Sequence, residues 1–218
     1  MNQVREVYAA IAARLPYHVG AGASGHGVPV AAVGDPKWIS DQVDLAGKLY
    51  RHGDRRTLGV LWWYSASVVV PAPTVESLVV TGSALDPAAV RLYPQADGRI
   101  LAATADALCS SPGSALRDVF QSAIDAVSAV TGARARTLWA IAADSLANRV
   151  LWTGGRPELA LSLADDMHEL PKPRFVSVNG RDYVRRGSCC LVYETGAAKC
   201  VSCPRQRPEE RSARLSAL

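Results

Sequence analysis

The chain carries little that marks a secreted, membrane-spanning or nucleic-acid-binding protein. Its net charge is only +4 over 218 residues, too mild by itself to point to nucleic acid. No strong export signal opens it. MNQVREVYAAIAARLPYHVG holds Arg5, Glu6 and Arg14 inside its apolar pattern and reads as an amphipathic helix. The longest uncharged run, Thr57 to Val75, contains Pro71 and Pro73. The expectation is a buried core segment and no stable membrane span. Without an export signal the expected compartment is the cytoplasm, where thiols stay reduced and clustered cysteines mean metal or redox chemistry more often than disulfides. No internal repeat or low-complexity linker is present. The four histidines, His18, His26, His52 and His168, show no mutual metal spacing.

What is present supports a folded domain of ordinary size. Hydrophobic residues make up 49% and charged residues 20%, enough to bury a sizeable core. The charge is unevenly placed. From Arg181 onward there are eight basic residues (Arg181, Arg185, Arg186, Lys199, Arg205, Arg207, Arg211, Arg214) and four acidic ones (Asp182, Glu194, Glu209, Glu210). The rest of the chain holds equal numbers of each sign, so the whole positive excess lies in the last segment.

Residues 3 to 15 are expected to be helical, followed by a loop from Gly20 to Val30. Asp35–Pro36 starts a second helix, running to about His52 and stopped by Gly53, with Trp38, Val43, Leu45 and Leu49 on its buried side. TLGVLWWYSASVVV mixes helix length with strand composition, and length favours a helix. A short helix from Val75 to Thr81 follows. Asp97–Gly98 between two short apolar runs predicts a hairpin, with Pro94 limiting its first strand. Ser114 caps a helix whose face carries Leu116, Val119, Phe120, Ile124, Val127 and Val130, ended by Gly132. Another helix spans about Arg134 to Trp152, and one from Pro157 reaches about Leu170. RFVSV, Asn179–Gly180 and RDYVRR then form the clearest hairpin signal in the chain. The fold class is α+β: a mostly helical body over residues 1–172, then residues 173–218 as a β-hairpin and a cysteine-rich C-terminal segment.

Gly20-Ala21-Gly22-Ala23-Ser24-Gly25 matches G-x-G-x-x-G in its letters. The dinucleotide-binding mechanism needs a strand before the loop and a helix opening at its end. A helix-like segment precedes it here, and no helix pattern follows until Pro36. The loop is read as a surface loop, and its match as coincidental.

Four of the five cysteines, Cys189, Cys190, Cys200 and Cys203, fall within the last thirty residues, spaced C-C-x9-C-x2-C. C-x-x-C in a tight turn brings two sulfurs to one metal. Four thiolates suit tetrahedral zinc or an iron–sulfur cluster. The adjacent pair favours a [2Fe–2S] cluster, a wider object than a single ion. Zinc and redox-active thiols remain open on the residues alone, and a Cys189–Cys190 disulfide would be strained. Cys109 stands alone and reads as an ordinary packed cysteine.

RRGSCCLVYE…KCVSCP resembles the C-terminal signature of the FhuF-like ferric-siderophore reductase family. That family ends in Cys-Cys, a gap of about ten residues, then Cys-x-x-Cys. The resemblance implies that Cys189, Cys190, Cys200 and Cys203 are the ligands of a [2Fe–2S] cluster. It implies one-electron reduction of a ferric siderophore, of the hydroxamate type, in the cytoplasm. A ferredoxin or reductase would be the electron donor, with no catalytic residue separate from the cluster. The gap here is nine residues, which bears on the loop's conformation. Arg185, Arg186, Lys199 and Arg205 flank the ligands and would raise the cluster potential or attract an anionic partner, unless they are only a solvated basic tail. Trp62–Trp63 is expected in packing, with a chelate pocket as the other reading. LADDMHE is expected to be a solvated helix face, with a cation site at Asp165, Asp166 and His168 as the other reading. The rival functions are a non-enzymatic four-cysteine zinc module, an iron- or redox-sensing cluster protein, and cluster handling in siderophore synthesis. The zinc module lacks a second spaced knuckle and basic–aromatic alternation, so nucleic acid is not expected as a partner.

Overall fold

A computed structural model of the chain describes residues 2–217. Among the described residues the eight helices are α1 (Asn2–Arg14), α2 (Pro36–Tyr50), α3 (Arg55–Val69), α4 (Ala72–Thr81), α5 (Pro112–Thr131), α6 (Ala135–Trp152), α7 (Pro157–Asp165) and α8 (Pro208–Ser216). The strands are β1 (Val28–Pro29), β2 (Ala84–Leu85), β3 (Val90–Pro94), β4 (Ile100–Ala105), β5 (Leu108–Cys109), β6 (Phe175–Val178) and β7 (Arg181–Val184). Pairing is antiparallel throughout: β1-β3-β4, β2-β5 and β6-β7. The α+β class and the helical body stand.

The uncharged run folds into α3 and α4 at the centre of the molecule. Arg55–Thr81 is long and apolar enough to cross a membrane by composition, yet 83% of its 18-residue apolar window is buried inside the fold. Apolar length here serves core packing. Trp62 and Trp63 sit in the core, and Trp63 donates its indole N–H to the Leu138 carbonyl on α6 at 2.9 Å. Packing, the first reading of the tryptophan pair, is what the fold uses. The core is sealed by Leu116, Phe120, Ile124 and Val127 on α5 and by α6, whose Leu138, Ile141, Ala142, Leu146 and Val150 are fully enclosed.

Several boundaries differ from the sequence reading. α2 stops at Arg51, which takes the left-handed conformation at φ 50°, two residues before Gly53. Its buried stripe is Ile39, Gln42, Val43 and Ala46, whereas Leu49 is exposed. The stripe runs i, i+3, i+4, i+7 from Ile39, and Leu45 and Leu49 lie off it. Leu45 instead packs under the β3–β4 turn. Gly98 is left-handed there (φ 83°), and a Cβ on it would meet Leu45 at 2.9 Å. α4 starts at Ala72 directly after Pro71, ahead of the expected Val75. α5 starts at Pro112 with Ser111 before it, not at Ser114, because proline presets the first helical φ. α7 ends at Asp165, since Met167 and Leu170 turn back into the core. The Gly20–Val30 loop holds a 3-10 turn at Val19–Gly22 and the strand β1.

Candidate functional site

The β6–β7 hairpin turns at Asn179 (φ 52°) and Gly180 (φ 76°), both left-handed as a two-residue hairpin turn requires. β7 returns along α6, and its last residue, Val184, is buried. The chain is then fixed by Asp144 on α6. Its carboxylate accepts the backbone N–H of Gly187 at 3.0 Å and that of Ser188 at 3.2 Å. Asp144 is buried, and burial pushes its carboxyl above the usual range while the Gly187 N–H and Arg186 pull it down. The available signal was a lone Asp in an otherwise apolar stretch, WAIAADSLA.

Immediately beyond lie Cys189 and Cys190. Leu191 follows in the left-handed region at φ 64°, unusual for a leucine. That turn aims successive N–H groups back at the pair. Leu191 N–H donates to Cys189 Sγ at 3.5 Å, and the Val192 N–H lies against Cys190. Consecutive N–H groups in such a turn form an anion-binding concavity. This is how neighbouring cysteines can both serve one anionic group.

The chain rounds Val192–Thr195 and Gly196 and comes back through Cys200-Val201-Ser202-Cys203. The C-x-x-C turn is closed by the Cys203 N–H to the Cys200 carbonyl at 3.0 Å, and Gln206 Nε2 donates to the same carbonyl at 2.6 Å. α8 holds the return strand. Arg214 donates to the Lys199 carbonyl at 3.3 Å, and Leu215 is buried. α8 escaped the sequence reading because one buried residue in nine gives no period. Its signals were Pro208 at the first position, Glu209 and Glu210 in the first turn and Arg214 in the last.

The four clustered cysteines therefore lie side by side in one row, and none is in a disulfide. Cys203 Sγ is 3.8 Å from Cys189 Sγ. Hydrogen bonds from the Cys189 and Cys200 thiols hold Cys190 far below the ordinary thiol range, with Arg186 adding to this and burial opposing it. The same bonds push Cys189 and Cys200 up. Cys109 sits elsewhere, half-buried on β5 opposite Ala84.

Arg186 is the main departure from a solvated basic tail. Its side chain is 1% exposed. It lies over the Tyr64 ring at 4.7 Å, donates Nη1 to Cys200 Sγ at 3.4 Å and has its Nε 3.6 Å from Asp144. Its Nε and Nη2 are buried without a hydrogen-bond partner. Buried guanidinium N–H groups without acceptors are costly. Of the other flanking cations, Lys199 donates to the Arg205 carbonyl, Arg205 covers the Tyr193 ring, and Arg185 is exposed.

These features test the two metal readings. A single zinc needs its ligands to converge on one point. Among the described residues, no three His, Cys, Asp or Glu side chains converge in that way. The thiols instead run as a chain, Cys203, Cys189, Cys190, Cys200, beside an arginine with N–H groups to spare. A two-iron cluster with inorganic sulfides offers the wider ligand shell and the extra acceptors that this arrangement fits.

A groove of about 500 Å³ opens on the Cys189 side. Cys189, Leu191, Glu194 and Arg205 form one wall, and the N-terminal turns of α3 and α6 form the other. The Thr57 hydroxyl, which donates to Asp54 at 2.6 Å, lies 3.0 Å from Glu194, so α3 stands against the cysteine loop. His18, by contrast, accepts the Gly20 N–H, and Glu169 pairs with Arg117 at 2.8 Å. The LADDMHE stretch thus holds an ion pair to α5.

Residues 186–205 match the family model FhuF 2Fe-2S C-terminal domain, a span that contains all four clustered cysteines. No curated protein matches the chain. The match and the geometry agree on the cofactor, a [2Fe–2S] cluster.

Proposed function

We propose that this protein reduces Fe(III) held in a siderophore and releases Fe(II) in the cytoplasm. In this reading residues 173–218 form the redox segment, residues 1–172 carry the chelate, and Cys189, Cys190, Cys200 and Cys203 hold the cluster. When bound, a [2Fe–2S] cluster supplies one electron at a time, which matches the Fe(III)/Fe(II) step. Oxygen-rich chelators bind Fe(II) far less tightly than Fe(III), so no bond in the chelator need be cut.

The chain's own groups have three tasks. Arg186 and the Leu191 and Val192 N–H groups offset negative charge on the sulfurs, which favours the reduced state. Asp144 holds Arg186 and the Gly187–Ser188 backbone in register with the cysteines. The open groove lets a chelate approach Cys189 without entering the core. The observation that carries the reading is the four-thiol row that reaches the wall of that groove at Cys189, backed by a buried guanidinium with spare donors. Each turnover also needs one electron from outside, supplied by a ferredoxin or a reductase.

The test is single-turnover chemistry without oxygen. Protein with the cluster reduced is mixed with a ferric siderophore, and the visible absorption of the oxidised cluster is followed beside trapped Fe(II). The expected yield is about one Fe(II) per reduced cluster. A cluster that stays reduced, with no Fe(II) trapped, sinks the proposal.

A further inference from the structure

The groove beside Cys189 is built from charges that do not cancel. Arg56, Arg134 and Arg205 line it together with Asp54 and Glu194. The two carboxylates are occupied. Asp54 accepts the Thr57 N–H and hydroxyl as the cap of α3, bonds that hold its carboxyl below the usual range. Glu194 lies at hydrogen-bond distance from the Thr57 and Tyr193 hydroxyls. The arginines are not occupied in the same way. Among the described residues, Arg56, Arg134 and Arg205 pair with no carboxylate. α6 also begins at the groove with Arg134 as its cap and no side-chain cap bond; the Arg134 carbonyl accepts the Thr137 N–H, which leaves the Ala135 and Arg136 N–H groups for a ligand or water.

From this we infer that the groove binds an all-oxygen ferric chelate of net negative charge, as a tris-catecholate or a hydroxycarboxylate complex is, in preference to a neutral trihydroxamate. The inference rests on the reductase reading and names its substrate class. It departs from the hydroxamate type that the family resemblance implies. The volume, about 500 Å³, lies in the roughly 300–1,000 Å³ range of small-molecule sites. Guanidinium groups suit carboxylate and catecholate oxygens because their N–H donors are planar and paired. A second groove of similar volume lies beside Trp152, Tyr183 and Val201, but no cysteine lines it. The Cys189 groove alone of the two brings a chelate to a sulfur.

The test uses Ga(III) chelates, which match Fe(III) in charge but are not reduced, titrated calorimetrically into cluster-loaded protein. The Ga(III) tris-catecholate and Ga(III) citrate should bind, and the neutral Ga(III) trihydroxamate should bind at least about tenfold more weakly. Arg56→Gln and Arg134→Gln should each weaken the anionic chelates about 3- to 10-fold, and together about 10- to 100-fold, as expected for partly exposed charge-assisted contacts. Arg→Lys at the same positions, which keeps the charge but not the paired planar donors, should weaken the anionic chelates less than the Gln variants do, and higher salt should weaken the anionic chelates alone. Equal or tighter binding of the neutral chelate, anionic binding unmoved by the Gln variants, or no binding of the anionic chelates overturns the inference. Both arginines are exposed, and retained cluster absorption reports the fold. Should a Gln variant lose its cluster, the Lys variants and the salt series carry the comparison. If ferric chelates reoxidise the reduced cluster while the Gln variants change nothing, the groove fails and the reductase stands. If Ga(III) chelates bind as expected but ferric chelates leave the cluster reduced, the reductase fails and the site remains.

Discussion

The carboxylate of Asp144 on α6 accepts the backbone N–H of Gly187 at 3.0 Å, 43 residues along the chain. It also lies 3.6 Å from Arg186. One buried acid thus ties the helical body to the residues that lead into Cys189. Asp144→Ala leaves the Arg186 guanidinium buried without its counter-charge and two N–H groups without an acceptor. Breaking such a pair costs about 3–5 kcal/mol. Urea unfolding should show a loss of that order. Iron content per chain should fall even in the fraction that folds, while Asp144→Asn, which keeps an acceptor oxygen, should lose less of both.

Arg186 should set the potential of the cluster. It places positive charge and free N–H donors against Cys200. Arg186→Gln removes the charge, and the reduced, more negative cluster loses the most. A charge-assisted hydrogen bond is worth about 1.5–3 kcal/mol, and tenfold is about 59 mV for one electron. The potential should therefore drop by about 60–130 mV in an anaerobic redox titration followed by electron paramagnetic resonance. An unchanged potential in a variant with full iron content would reduce Arg186 to a packing role.

The cysteine variants separate ligands from bystanders. Cys189→Ser, Cys190→Ser, Cys200→Ser and Cys203→Ser should each lose the visible absorption and most of the roughly two irons and two sulfides per chain expected of a [2Fe–2S] protein. Cys109→Ser should keep all of them. A clustered variant with full iron content would remove that residue from the ligand set, and a colourless parent protein with one zinc would overturn the cofactor.

Much of this site is legible in the sequence, and the rest is hidden for physical reasons. The cysteine spacing and the Asn179–Gly180 hairpin are local signals, and both hold in the structure. The period of α5 was visible because one face is apolar along its whole length. α6 is buried on nearly every side, so its pattern gives no direction and Asp144 on it passes as an ordinary helix residue. Arg186 looked like one of several basic flankers. Only the fold shows that it turns inward under Tyr64 while Arg185, its neighbour, stays out. The two-residue strands β2 and β5 are too short to carry alternation. α8 is too polar to carry a stripe. Long-range partners of a charged group, the Gly187 backbone at Asp144 and the Thr57 hydroxyl at Glu194, leave no trace in spacing.

A second buried acid yields a pH test away from the cluster. Glu76 on α4 accepts the Val19 N–H at 3.0 Å and lies 3.3 Å from Arg149, which donates to the Val68 carbonyl at 3.1 Å. Burial raises the Glu76 carboxyl above its ordinary value, outweighing the opposing pull of Val19 and Arg149. The folded state therefore holds this proton more firmly than the unfolded chain. Its contribution is fully present below the unfolded value and is lost as pH rises through the higher folded value. Glu76→Gln keeps an acceptor for Val19 and removes the titration. Measured by urea unfolding from about pH 4 to about pH 8, the parent should lose stability relative to the Gln variant as pH rises. The opposite slope would mean that the Arg149 pairing outweighs desolvation, and that Glu76 is held ionised by the fold.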